Sequence, residues 1–425
     1  MVVVRNDARE DLKSGVVGIC RVCHGSDLTS FLDLGFTPPA DDFLFPHRLK
    51  EPEAYYPLDV LVCRDCGLVQ LGYVVPPEIL FQRDYPYESS TTATGREHFY
   101  AMAEEICRDF ALERDSLVID IGSNVGVLLQ GFKNRGIASV LGIDPAENIC
   151  EIAHGNGIST ICGFFSEELA AGIKKTRGRA DIITGTNVVA HINDHQALVR
   201  AVEMLLADRG VFIFEAPYLV TLIDNLEYDT IYHEHLSYLS VKPMVRLFGI
   251  FGMELFDVRE VSIHGGSLRY FAGRKGDYPV SDNVARLVKL EDSKGLYDND
   301  RLKDFSESVQ QNRQQLNWML RTLKHDGKRI AAVSAPAKGM TLLNYCNIGP
   351  EILDFITEKT PLKIGKYTPG THIPILPDTE LIRQMPDYAL LLAWNFADEI
   401  MGNLEDYRKA GGKFIIPIPE PRVVG

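Results

Sequence analysis

"SLVIDIGSNVGVLL", residues 116–129, reads as a strand, a sharp turn and a helix. An apolar run ends on an acid, Asp120. Gly122, Ser123, Asn124 and Gly126 follow, and then an apolar helical pattern begins. Glycines at such a junction permit a tight turn and let the backbone approach a ligand closely. Twenty-two residues after Gly122, VLGIDPAE carries a second strand to another acid, Asp144. An acid at that place commonly takes a ribose diol. The dinucleotide fingerprint G-x-G-x-x-G is absent, because GSNVG has a different spacing. Asp120 would also repel a pyrophosphate, whereas it suits a cationic sulfonium. The loop therefore favours S-adenosylmethionine over a dinucleotide, with Asp120, Gly122, Ser123, Asn124, Gly126 and Asp144 as cofactor-binding residues.

The neighbouring segments extend this pattern. GFFSEEL (163–169) follows a third strand, where adenine contacts often lie. DIITGTNVVAHI (181–192) is a fourth strand and its loop, which adds Asn187 to the cofactor-binding set. RGVFIFEAPYL (209–219) is a fifth strand, and MELFDVREV and GSLRYFAG form a final hairpin-like pair. That is the order of a class I (Rossmann-like) methyltransferase. YHEHLSY (232–238) is inserted before the final pair, on the carboxyl side of the sheet, where ligands bind in open α/β folds. On an extended segment His233 and His235 would share one face and Glu234 the other.

Further along the chain, NDRLKDFSESVQQNRQQLNWMLRTLKHDGK (299–328) is polar and helix-like. Strand and helix patterns then resume: RIAAVSA, a helix from about Met340, EILDFI, YALLLAW and KFIIPI. Short β-branched runs separated by amphipathic helices indicate parallel α/β units. The expected division is a zinc-binding domain over 1–80, a methyltransferase domain over 81–280 and a Rossmann-like α/β domain over 281–425.

The first region holds two CxxC pairs, Cys20 with Cys23 and Cys63 with Cys66, separated by 39 residues. Each pair can occupy two corners of a tetrahedron, and together they make a four-cysteine zinc site. Four thiolates fill the coordination shell, so the zinc is structural. Cys107, Cys150, Cys162 and Cys346 are scattered and read as inert.

Composition bounds the function. The chain has 425 residues, 45% of them hydrophobic, and a net charge of −14. A nucleic-acid binder normally carries a basic face, so a zinc-ribbon nucleic-acid protein is disfavoured. No apolar run reaches the roughly 18 residues of a membrane span, and MVVVRNDARE lacks the apolar core of a secretory signal. These features imply a cytoplasmic protein that engages neither membrane nor nucleic acid.

Taken together, the motifs resemble one family, the nucleotide-sugar C-methyltransferases of deoxysugar biosynthesis. The matching stretches run from CRVC and CRDC through YPYESS (85–90), VIDIGSNVGVLL, NVVAHI, YHEHLSY and HGGSLRYF to APAKGMTLLNY (335–345) and KYTPGTHIPI (366–375). The family pattern reads AAAKG where this chain has APAKG. The resemblance implies a zinc domain, a central methyltransferase domain and a C-terminal Rossmann-like domain that holds a nucleotide sugar. It implies methylation of a sugar carbon, usually C3, beside a C4 ketone, in a monomer or weak dimer. An O- or N-methyltransferase on the same scaffold would need no enolate chemistry and would leave the third domain unexplained.

Removing a hydrogen alpha to a ketone needs a nearby base and a stabilised oxygen. By resemblance His235 is the base. Glu234 orients or relays, and Tyr232 donates to the ketone or holds a water. His191 also belongs to the catalytic set, and Tyr85 completes the pocket with Tyr87 as the alternative, substrate-binding tyrosine. In the third domain Gly339 and Thr341 would open a helix whose amides attract phosphate, and Lys338 would neutralise the diphosphate. TPGTHIPI either closes on the nucleotide or supports a domain interface.

Overall fold

Short antiparallel pairs build the N-terminal region in the computed structural model, which describes residues 14–81 and 93–425. A two-stranded ribbon joins β1 (Gly15–Val16) to β5 (Tyr73–Val74). Beside it, β2 (Leu28–Thr37) pairs with β3 (Tyr56–Cys63), and β3 pairs with β4 (Val69–Leu71).

The central sheet has seven strands. They are β6 (Leu117–Ile121), β7 (Ser139–Asp144), β8 (Thr160–Cys162), β9 (Ala180–Thr186), β10 (Leu206–Pro217), β12 (Met253–Val261) and β13 (Ser267–Arg274). Their spatial order is β12-β13-β10-β9-β6-β7-β8. The strands are parallel except that β13 runs antiparallel to both its neighbours. Every residue of β6 is buried, as expected of a central parallel strand covered on both faces. Along the chain the seven strands follow one another as read from the sequence.

The remaining strand of this stretch, β11 (Ser237–Tyr238), does not join the central sheet. It pairs antiparallel with β4 and becomes the fourth strand of the N-terminal sheet. The end of YHEHLSY is therefore tied into the zinc-binding region.

The helix Asn299–His325 buries Leu302, Phe305, Val309, Asn312, Leu316 and Leu320. Steps of three and four residues place them on one stripe. Beyond it, β14 (Ile330–Val333), β15 (Ile356–Glu358), β16 (Ile375–Pro377), β17 (Tyr388–Leu391), β18 (Lys413–Ile416) and β19 (Arg422–Val424) form a sheet in the order β16-β15-β14-β17-β18-β19. All pairs are parallel except β18 with β19. Two details correct the sequence reading. The helix expected from about Met340 begins at Ala337, and TPGTHIPI ends on Ile375, the first residue of β16.

TPGTHIPI also settles into an interface. Leu44 and Tyr367 exchange backbone hydrogen bonds of 2.9 and 2.8 Å, and Gly370 donates to Glu53, which also meets His372. One apolar core continues from Val17 to Ile418 through all three regions. No helix among the described residues is long and apolar enough to cross a membrane.

Candidate active site

At the carboxyl ends of β6, β7 and β9 lies a cavity of about 990 Å³, walled by all three regions. On the central wall the glycine loop is built by its backbone. Gly122 and Gly126 sit at φ +67° and +84°, in the left-handed region that glycine favours. A Cβ on Gly122 would lie 2.9 Å from Val188, and one on Gly126 2.7 Å from Ile158. Both amides of Gly122 and Ser123 donate to the Ile143 carbonyl, which folds the loop onto β7. Asp144 accepts from the amides of Asn124 (2.9 Å) and Ala146 (3.0 Å), one on each oxygen. Each oxygen keeps a second lone pair for a ligand.

Asp120 is buried and accepts from Thr184 at 2.7 Å. Burial, with a smaller push from the charge of Asp144, raises its carboxyl to about 7. Asn187 stands at φ +56°, and its Oδ1 is buried without a hydrogen-bond partner among the described residues. An orphaned acceptor, a glycine cradle and a ribose-type acid at one cavity wall fit a nucleoside cofactor. The Ser123 hydroxyl is also buried without a partner among the described residues, and a Cβ on Gly142 would lie 2.4 Å from it.

YHEHLSY forms the opposite wall. Its start is a turn in which His235 N–H donates to the Tyr232 carbonyl at 2.9 Å. The turn replaces the extended alternation, so the two histidines diverge. His233 Nε2 meets the Tyr56 carbonyl at 3.3 Å, and its ring packs edge-on to Tyr56. His235 instead packs against His191, with ring centroids 5.0 Å apart. His235 Nδ1 lies 2.7 Å from the Thr230 carbonyl, which can only accept, so Nδ1 carries the proton. Nε2 is then the lone-pair nitrogen, and the Tyr232 hydroxyl donates to it at 2.8 Å.

His191 stacks on Phe81 at 5.7 Å, and burial holds its imidazole well below the usual histidine range. It is neutral near pH 7. Glu234, read as orienting or relaying a proton, is buried, and neither of its oxygens has a hydrogen-bond partner among the described residues. Burial first, and then the charge of Asp41, push its carboxyl up to about 8. Tyr85 and Tyr87 lie outside the described residues.

The third wall comes from Pro336–Lys338, Lys363 and Asn395. Lys338 Nζ lies 4.1 Å from the centroid of Trp394 and 3.7 Å from Asp229. It faces the cavity with its charge already shared. Thr341 does not reach the cavity. Its buried hydroxyl donates to the Ile231 carbonyl at 3.0 Å, fastening this helix to the segment before YHEHLSY. Gly339 is a packing glycine, since a Cβ there would lie 2.8 Å from Leu392. The helix opens earlier than read, at Ala337, so Gly339 and Thr341 lie within its first two turns. Sequence reasoning missed Asp41 and Lys363. Neither belongs to a motif, and only folding brings them to the cavity.

The four expected zinc ligands come together. The sulfurs of Cys20, Cys23, Cys63 and Cys66 all lie within 4.8 Å of one another. Cys20 and Cys66 are 3.5 Å apart, and Cys23 and Cys63 are 3.6 Å apart. A tetrahedron with Zn–S of about 2.3 Å has edges of about 3.8 Å, so the cluster fits the metal. The residues after each CxxC, His24 and Gly67, take φ +57° and +82°, which turns each knuckle back on itself.

This combination defines an S-adenosylmethionine-dependent methyltransferase fold carrying a zinc-binding module. Family models match three stretches of the chain: a zinc binding domain over residues 20–81, a methyltransferase domain over 95–258 and a C-methyltransferase C-terminal domain over 262–419. The C-methyltransferase NovU of Streptomyces niveus is 37% identical over 406 residues, covering 95% of this chain and 96% of that protein. The chain belongs to the C-methyltransferase family. Its methyl donor is S-adenosylmethionine, and its metal is zinc. Among solved structures, a methyltransferase from Anabaena variabilis matches 42% of this chain and 86% of its own at 16% identity and a TM-score of 0.35. The magnesium protoporphyrin IX methyltransferase of Synechocystis, with S-adenosylhomocysteine bound, matches 44% and 90% at 15% identity and a TM-score of 0.35.

Proposed function

We propose that this C-methyltransferase acts at C3 of a nucleotide-linked 4-keto-6-deoxyhexose. The three regions are read as a zinc-binding domain, a methyltransferase domain and a nucleotide-sugar-binding domain. The observation that carries the reading is the Tyr232–His235 pair, whose lone-pair nitrogen is set by the Thr230 carbonyl, across the cavity from the cofactor wall. Transfer to oxygen needs only a base, whereas transfer to carbon needs a base and a partner for the enolate oxygen.

S-adenosylmethionine, when bound, supplies the electrophilic methyl group to the carbanionic carbon. His235 takes the C3 proton at Nε2, directly or through the Tyr232 hydroxyl. The Thr230 carbonyl keeps hold of Nδ1–H and so favours the imidazolium that forms. Neutral His191 packs against this ring without adding a competing charge. Ala337 and Lys338, at a helix start that faces the cavity, hold the diphosphate.

The test is a panel of 4-keto-6-deoxy nucleotide sugars incubated in deuterated water. The expected result is enzyme-dependent deuterium uptake at C3 and a product carrying one extra methyl on carbon. Methylation on oxygen or nitrogen, without exchange, would overturn the reading.

A further inference from the structure

Asp41 belongs to the PPADDFL stretch that leaves β2, far in sequence from every cofactor and histidine motif. Its side chain is nine-tenths buried, and it lines the same cavity as Glu234 and Lys363. Three of the four carboxylate oxygens of Asp41 and Glu234 are buried with no hydrogen-bond partner among the described residues: Asp41 Oδ1 and both oxygens of Glu234. Among the described residues, the cation paired with them is Lys363. Lys363 Nζ lies 3.8 Å from Asp41 Oδ1, but it donates its short bond, 2.7 Å, to the Ala335 carbonyl. Two carboxyls therefore share one ammonium, on a wall where unfilled acceptors are costly.

A missing donor of matching chemistry would bring several N–H groups to these oxygens. An amino group offers up to three, whereas a hydroxyl offers one. We propose that Asp41, together with Glu234, is a specificity determinant that holds an amino substituent on the sugar, so that the substrate carries an amine at C3 rather than a hydroxyl. This rests on the nucleotide-sugar reading above. It also separates two jobs within YHEHLSY. Tyr232 and His235 handle the carbon-bound proton, and Glu234 faces the zinc-binding region to hold the substituent.

Two 4-keto-6-deoxy nucleotide sugars, identical except for an amine or a hydroxyl at C3, test it with purified full-length enzyme. Wild type should favour the amino sugar by about 10-fold or more in kcat/KM. Asp41→Asn keeps the shape but loses the charge. It should lower kcat/KM for the amino sugar by about 10- to 100-fold, the range of a lost charged hydrogen bond, and so collapse the preference. Asp41→Glu should keep part of the preference, which a purely structural role for Asp41 would not produce. A wild type that favours the hydroxyl sugar, or an Asp41→Asn variant that slows both sugars equally, overturns the inference while leaving the sugar reading intact. Turnover of neither sugar by wild type sinks both.

Discussion

A carbonyl decides what His235 can do. Because Thr230 accepts from Nδ1, the opposite nitrogen is left to take a proton. His235→Asn keeps a polar group of similar reach without a titrating nitrogen. Loss of a general base typically costs about 10²- to 10⁴-fold, so kcat should fall by that factor and deuterium uptake at C3 should fall with it. Exchange at the wild-type rate with methyl transfer abolished would instead make His235 a positioning residue. Acids are affected differently. Burial raises Glu234 to about 8, and Asp120 and Glu227 each to about 7, whereas an unfolded chain titrates them near about 4. Between those values the folded protein binds more protons than the unfolded one, so stability falls as pH rises. For Glu234 the penalty is absent below about pH 4 and complete above about pH 8, with Asp41 and Lys363 as the charges on that wall. The melting temperature should drop from pH 5.5 to 8.5, and Glu234→Gln should reduce the drop. An identical drop in the variant would mean that Glu234 is not held protonated.

The glycine loop and YHEHLSY differ in how far they could be read in advance. The loop between β6 and the next helix is local: its glycines, its spacing and Asp144 are all visible within thirty residues. Asp144 ties that loop to β7 through the Asn124 amide while presenting its remaining lone pairs. Asp144→Ala should therefore weaken S-adenosylmethionine binding about 10- to 100-fold by calorimetry, as loss of about 1.5–3 kcal/mol of charged hydrogen bonding implies. Unchanged affinity would place the ribose partner elsewhere. YHEHLSY was recognisable as proton-transfer equipment, but its shape was not. Whether a seven-residue segment alternates or turns depends on what it packs against. Here Ser237 and Tyr238 are drawn into a strand by Gln70 and Val69, and the turn before them sends His233 and His235 apart. The helix Ala337–Cys346 was legible as a helix, yet the orientation of Thr341 follows from a carbonyl more than a hundred residues away.

Across the molecule, the two zinc knuckles act as anchors. Arg21, buried within the first, donates to Asn193 and to the Leu71 carbonyl. Arg64, within the second, donates to Thr29, to the Tyr297 carbonyl and to Asn299. One knuckle is thus fastened to the cofactor-side loop and the other to the start of the long helix. On that helix Asn312 donates to the Pro417 and Pro419 carbonyls and accepts from Tyr228, joining the central and C-terminal regions. Cys63→Ser should lower zinc content and destabilise the protein by about 4 kcal/mol or more, as losses of a metal site do, with the loss read as melting temperature and bound zinc together. A zinc-free wild-type preparation of unchanged melting temperature would contradict this. Class, cofactor, metal ligands and the order of the central strands were written locally, because glycine turns, CxxC spacing and hydrophobic period act over a few residues. The meeting of Asp41, Glu234 and Lys363, the diversion of β11 into the zinc-bearing sheet and the packing of Gly339 and Thr341 came only with tertiary structure. Each depends on groups distant in the chain, and their contacts exist only once the shared core has brought the three regions together.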